Sequence, residues 1–330
     1  MMKLPILYAG AGMCLALSSC AGETHVSPST EDAAVESTSK GDAAVNSNSV
    51  LPVANGSVYS FQFGDTQFSV DASRGGRIVT FALSGSNILT GPNVDGANFG
   101  STFWPSPQSD WNWPPLPEID SAPYTANVDG AVLSLSGSTA AALGLAVDKQ
   151  FSVDGEAGVV TIVYTLSNRG TQARKVAPWE ITRVKAGGLT FFPMGPGGAH
   201  KGAQDLLNTT LVNGVAWFPY NASVITADQK VFADGLEGWI AHVDGDLLLV
   251  KSFGDTALAQ AAPGEAEIEI YANAGHTYVE VENQGAYVSL APGASATWTV
   301  RWILRKLDLT ATPASAGNAA LLDLVRSLVK

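Results

Sequence analysis

Glu267-Ile268-Glu269-Ile270-Tyr271, followed six residues later by Tyr278-Val279-Glu280-Val281-Glu282, alternates polar and apolar side chains through two short runs. Successive strand residues point to opposite faces, so a period of two reads as a β-hairpin with one buried face. Ile268, Ile270, Val279 and Val281 are expected on the core side. Glu267, Glu269, Tyr271, Tyr278, Glu280 and Glu282 then share the other face. Like charges side by side are unfavourable unless water, a cation or a hydroxyl-rich ligand compensates. That face is therefore either a solvated surface or a surface that meets a carbohydrate, with Glu282 the leading single candidate.

Outward from this hairpin the same period recurs. Val58-Tyr59-Ser60-Phe61-Gln62-Phe63 and Gln67-Phe68-Ser69-Val70 alternate, and further runs follow at 77–83, 132–135, 145–153, 159–166, 175–184, 189–192, 238–243, 247–251, 287–290 and 297–304. Gly75-Gly76, Asp129-Gly130, Asp154-Gly155, Asp244-Gly245 and Pro292-Gly293 supply turns between them. So many short strands over residues 51–307 predict one all-β domain, a large antiparallel β-sandwich. In 298–305, Trp298, Val300, Trp302 and Leu304 make one apolar face, with Arg301 on the other. The helical period appears only at the end, where Leu321, Leu324, Val325 and Leu328 fall at i, i+3, i+4 and i+7. Residues 308–330 thus read as a spacer and a short amphipathic helix. This helix either packs on the sandwich or serves a structural or assembly role at the cell envelope.

The N-terminus carries a different signal. Lys3 precedes an almost wholly apolar stretch, residues 4–17, that ends in Leu17-Ser18-Ser19-Cys20. It is shorter than the roughly 20 residues needed to span a bilayer and suits a signal-peptide core. The ending resembles the bacterial lipobox, which implies a signal peptide over 1–19 and lipidation of Cys20. The chain is then expected at the cell envelope, held to the membrane by the lipid anchor alone. Ala21 implies the outer membrane, facing the periplasm or the surface, if the cell is Gram-negative. Residues 20–50 form a polar tether with too little apolar surface to offset the entropy of ordering. Cys14 leaves with the signal peptide, so no cysteine remains for a disulfide, a thiolate nucleophile or a zinc cage.

The chain has 330 residues, of which 15% are charged, and a net charge of −12. That acidity disfavours the phosphate backbone of nucleic acids as a partner. The histidines are isolated and lack ligand spacing, so no metal is expected, and no phosphate-binding loop or nucleophile elbow points to a cofactor or to acyl transfer.

Two segments stand out as long loops, 90–124 and 195–234, and long loops in compact domains are usually functional. The first holds Trp104, Gln108, Asp110, Trp111, Asn112 and Trp113. Flat aromatic rings stack on sugar C–H faces while carboxylates and amides bind hydroxyls; a loop pinned to the core by its tryptophans is the plain alternative. Trp179-Glu180-Ile181-Thr182-Arg183 is a further candidate, because a carboxylate among apolar strand residues needs a partner. Strict alternation sets Arg183 on the face opposite Glu180, and a structural ion pair of Glu180 with Arg77 or Arg301 is the alternative to a site.

Residues 99–108 (Phe-Gly-Ser-Thr-Phe-Trp-Pro-Ser-Pro-Gln), 177–184 (Ala-Pro-Trp-Glu-Ile-Thr-Arg-Val), 278–285 (Tyr-Val-Glu-Val-Glu-Asn-Gln-Gly) and 300–305 (Val-Arg-Trp-Ile-Leu-Arg) resemble landmarks of a bacterial family of unknown function. That family lies in the galactose mutarotase-like superfamily. The resemblance spans about residues 55–307 and implies a β-supersandwich with a sugar site on a concave sheet face. Aldose mutarotases pair a glutamate base with a histidine acid. No strand histidine matches that acid here. The expected site therefore uses Glu180 and Glu282 as candidate acid–base residues, for epimerisation or glycan cleavage, or binds sugar without catalysis. Arg77, Trp104, Gln108, Asp110, Trp111, Trp113, Arg183, Lys251, Glu269, Tyr271 and Glu280 are expected to contact the ligand, a mono- or oligosaccharide. One cleft is expected, bordered by 99–124 and floored by the strands of Glu180, Glu269 and Glu282.

Overall fold

The computed structural model describes residues 48–201 and 208–330. The lipobox, Cys20 and nearly all of the tether lie outside the described residues. The strands pair throughout in antiparallel fashion and build two layers. The first sheet runs, in spatial order, Val53–Asn55, Val58–Phe63, Thr66–Asp71, Arg77–Leu83, Ser101–Ser106, Arg174–Lys185, Tyr278–Gln284, Ile268–Ala272 and Gln229–Gly235. The second runs Thr125–Asp129, Val132–Ser136, Leu145–Asp154, Val159–Asn168, Ser295–Lys306, Leu247–Phe253 and Trp239–Asp244. The strand Leu189–Lys201 belongs to both. Its start pairs with Trp239–Asp244 and Val215–Pro219, and beyond a register shift at Met194–Ala199 it pairs with Gln229–Gly235.

The core between the layers is aromatic. Trp302 of the second sheet lies 6.3 Å from Phe68 and 5.8 Å from Phe81 of the first, and Phe103 stacks on Tyr164 at 4.4 Å. Ile268, Ile270, Val279 and Val281 all belong to this core, as the hairpin period required, and so do Val300, Trp302 and Leu304. Burying a large apolar side chain is worth about 1.5–3 kcal/mol, so this face fixes the hairpin register.

The helix Ala319–Leu328 closes the outer face of the second sheet. Asn318 caps it, its side chain accepting from the Leu321 amide at 2.8 Å. Leu321, Leu322 and Val325 are buried with Phe191, Trp217, Trp239, Leu248 and Val250, and Leu324 and Leu328 pack against the same cluster. An exposed apolar stripe was the motive for an assembly role, and the stripe is spent on the sandwich. The 195–234 stretch is also less of a loop than its sequence suggests. Trp217 is buried in this cluster, on the strand Val215–Pro219, away from the face that carries the glutamates.

Candidate functional site

Register decides which side chains meet. Across the first sheet, Trp104 opposes Trp179, Thr102 opposes Ile181, Ile181 opposes Glu282, Arg183 opposes Glu280, and Glu282 in turn opposes Glu269. Directly paired residues share a face. Trp104, Trp179, Arg183, Glu280, Glu282, Glu269 and Tyr271 therefore lie together on the outer face of the first sheet. Lys230, on a strand within the second segment read as a loop, joins them. Its ammonium sits 2.6 Å from Glu269 and 3.3 Å from Glu282.

Glu180 and Lys251 do not belong to this face. Glu180 points between the layers. Its Oε1 accepts from the Tyr164 hydroxyl at 2.6 Å, and its Oε2 accepts from Trp302 Nε1 at 3.1 Å and pairs with Lys251 Nζ at 2.9 Å. Lys251 also donates to Thr182 Oγ1 (2.8 Å) and the Val281 carbonyl (3.0 Å). Both partners are 0% exposed. Glu180 is thus a structural ion pair, with Lys251 rather than with Arg77 or Arg301. The pairing of Glu180 with Glu282 as acid and base fails, because adjacent residues on one strand look out of opposite sides of the sheet and Glu282 shares its face with Ile181.

The outer-face carboxylates form a dense network. Glu282 Oε2 accepts from Trp179 Nε1 at 2.8 Å, while Glu282 Oε1 is buried without a hydrogen-bond partner. Glu269 Oε1 accepts from Gln284 Nε2 at 2.6 Å, and the same amide reaches Glu265 Oε2 at 2.8 Å. Burial raises the proton affinity of both Glu269 and Glu282 above the ordinary carboxylate range, and Lys230 works against that rise without cancelling it. On Lys230 burial opposes the charge, but Glu269 and then Glu282 hold its ammonium above the usual value. Glu280 takes Arg183 Nε at 2.8 Å, and the Arg183 guanidinium lies 5.3 Å from the Trp104 ring. Glu267 takes its partner from outside this network. It precedes the strand and accepts the Thr256 amide at 2.6 Å, and burial pushes its pKa up to about 8.

Trp104 links this network to open space. Its ring meets Trp179 (5.3 Å), Trp111 (5.6 Å) and Trp113 (6.1 Å) edge-on, and its Nε1 donates to Asp120 Oδ1 at 2.8 Å. Asp120 Oδ2 accepts from Arg77 at 3.2 Å. Beside them opens a cavity of about 620 Å³ lined by Arg74, Arg77, Asn98, Trp113 and Asp120 among others. Trp113 stands 59% exposed at this groove. The Gly75-Gly76 turn sets Arg77 in place. A side chain at Gly75, whose φ is +64°, would collide with the Asp120 backbone carbonyl. The Lys149 ammonium clamps the turn through the Gly75 carbonyl at 2.6 Å, and burial pushes its pKa down to about 7.

Of the expected contacts only Arg77 and Trp113 line this cavity, and the expected floor of Glu180, Glu269 and Glu282 does not. Arg183, Glu269, Tyr271 and Glu280 belong to the neighbouring network, Lys251 lies between the layers, and three loop residues are spent on other partners. Trp111 turns its Nε1 to the Pro105 carbonyl and packs on Trp104, as a pinned aromatic. Asp110 pairs with Arg174 at 3.5 Å, and Gln108 offers its backbone amide to Glu265. Asp120 and Asn98 carry no motif in the sequence that marks them for this region. Only Lys230 has a signal there, as a charged residue at the head of the apolar run Val231-Phe232-Ala233.

Residues 61–305 match the model of a family described as a domain of unknown function, DUF4380. No curated protein matches the chain. Among solved structures, the Slr1438 protein of Synechocystis sp. PCC 6803 superposes with a TM-score of 0.55 at 14% identity, over 80% of this chain and 99% of that one. A putative aldose 1-epimerase of Klebsiella pneumoniae gives 0.56 at 12% identity, over 84% and 86%. A galactose mutarotase-like protein of Lactobacillus casei gives 0.53 at 9%, over 78% and 100%. At such identities the likeness establishes the fold and leaves activity open. The chain belongs to the DUF4380 family, and its nearly all-β sandwich has a fold similar to those of galactose mutarotase-like proteins.

Proposed function

We propose that this protein binds carbohydrate in the groove between Trp113 and Arg77, on the outer face of the first sheet, and that a lipid on Cys20 holds it at the bacterial cell envelope. The observation that carries the binding reading is the groove itself. It is a cavity of ligand size, about 620 Å³, lined by an exposed tryptophan together with Arg77, Asn98 and Asp120. Such a mixture of one flat apolar wall and a few fixed polar groups suits a sugar ring. The fold, shared with proteins described as aldose epimerases, supports a carbohydrate-related role. Binding rather than epimerisation is the better reading. Glu180 and Glu282 lie on opposite faces, and Glu282 and Glu269 are 0% exposed beneath Lys230 and Trp179.

A glycan array followed by titration calorimetry tests the proposal. At least one mono- or oligosaccharide should bind, and Trp113→Ala should weaken it about tenfold, in line with the loss of one aromatic contact. Binding that is indifferent to Trp113, or no binding across the panel, removes the reading. Radiolabelled palmitate incorporated into the wild type and not into Cys20→Ala tests the anchor separately.

A further inference from the structure

The groove has a charge of its own. The chain as a whole carries −12, yet the ionisable side chains lining this cavity are Arg74, Arg77 and Asp120, two positive and one negative. The negative one is already committed. Asp120 accepts from Trp104 with one oxygen and from Arg77 with the other. Asp95, in the neighbouring loop, spends its Oδ1 on the backbone amides of Ala97 (2.9 Å) and Asn98 (2.8 Å).

The two arginines converge. Their guanidinium carbons lie 5.7 Å (Arg74) and 4.6 Å (Arg77) from the centre of one buried ring, Phe99. Arg77 is locked by the Ala97 carbonyl and Asp120. Arg74 is not: its side chain is 54% exposed, and its ionic contact with Asp71 is long, 3.8 Å. Asp120 offsets the charge of Arg77, so the cation at this ring without a close counter-charge is Arg74, and an anion in the groove beside it supplies one. A planar carboxylate matches the guanidinium fork, and a single negative charge suits a groove that also holds Asp120.

The geometry points to an acidic sugar, a hexuronate unit, as the ligand class of the groove, with its ring on Trp113 and its carboxylate at Arg74 and Arg77. This inference rests on the carbohydrate reading of the same groove and adds the charge of the ligand.

Calorimetry on the purified protein compares glucuronate and galacturonate with glucose and galactose, with inorganic sulfate as a further probe. One of the acids should bind about five- to tenfold tighter than its neutral parent, and the preference should shrink as salt is raised. Arg74→Gln should bring the acid-to-neutral ratio close to one, whereas Trp113→Ala should weaken acid and parent alike. Neutral sugars that bind as tightly as the acids, in a Trp113-dependent way, overturn this inference and leave the carbohydrate reading standing. Sulfate that displaces the acid while Trp113→Ala has no effect marks a general anion site and overturns it too. If no sugar binds, both readings fall.

Discussion

Glu180 Oε2 and Lys251 Nζ meet 2.9 Å apart between the two sheets, each wholly shielded from solvent and each bonded to further partners from the opposite layer. Taking two charges out of water is costly, and their attraction repays that cost only when the remaining lone pairs and protons are also satisfied. Here they are satisfied by Tyr164, Trp302, Thr182 and the Val281 carbonyl.

Removing one member alone should therefore be expensive. Lys251→Met leaves the Glu180 carboxylate buried without its counter-charge and is expected to cost about 3–5 kcal/mol. The double change Glu180→Met with Lys251→Met should recover most of that loss. Urea unfolding of the three variants decides the matter. A Lys251→Met loss below about 1 kcal/mol would show that the ion pair is not held as described.

The outer-face cluster behaves differently, because two carboxylates there share one lysine. Lys230→Met strands both Glu269 and Glu282 and should destabilise by about 3–5 kcal/mol at neutral pH. Glu282→Gln removes a carboxylate that burial already pushes toward its neutral form. It should change stability by no more than about 1 kcal/mol, in either direction. Thermal melts of the two variants at pH 7 should rank them in that order, and equal losses would contradict two carboxylates that depend on one lysine.

His242 sets an acid limit. It is fully buried, its Nδ1 paired with Thr190 Oγ1 at 2.9 Å, and burial pushes its pKa down from 6.5 to about 4. Between those values the unfolded chain binds a proton that the folded chain refuses. Stability contributed by this group is complete above pH 6.5, falls as the pH drops toward 4, and levels off below. The full contribution is about 3 kcal/mol. The difference in unfolding free energy between wild type and His242→Gln, followed from pH 8 to pH 4, should narrow or reverse across that window. A difference that stays constant with pH would rule out His242 as the source.

The fold was readable because the hairpin at 267–282 keeps strict alternation, and in a half-buried sheet a slip of one residue would turn its isoleucines to solvent. Glu269 and Glu282 followed from the same alternation. For Glu180 the sequence leaves a site and a structural ion pair open, and the ion pair is what the structure holds, with Lys251 in place of Arg77 or Arg301. Alternation set Arg183 opposite Glu180, but which of the two faces looked inward depended on a cation in another sheet. Lys251 supplies it from an otherwise apolar strand, Leu247–Phe253. A lone lysine in such a run is the signal that a buried carboxylate is waiting elsewhere. The groove was less legible. Trp113 and Arg77 could be named, but Asp120 and Asn98 join them only through the folding back of residues 95–121, a long-range closure with no period to betray it.

The strand Leu189–Lys201 is hydrogen-bonded into one layer at its start and the other at its end. It is a seam, and a seam cannot be opened from one side. The helix-covered sheet and the sheet that carries the outer-face glutamates share this one strand, so parting them breaks a continuous backbone in the middle of its ladder. Its start is paired with the strand of Trp217 and its end with the strand of Lys230. One backbone thus ties the back of the molecule to its front.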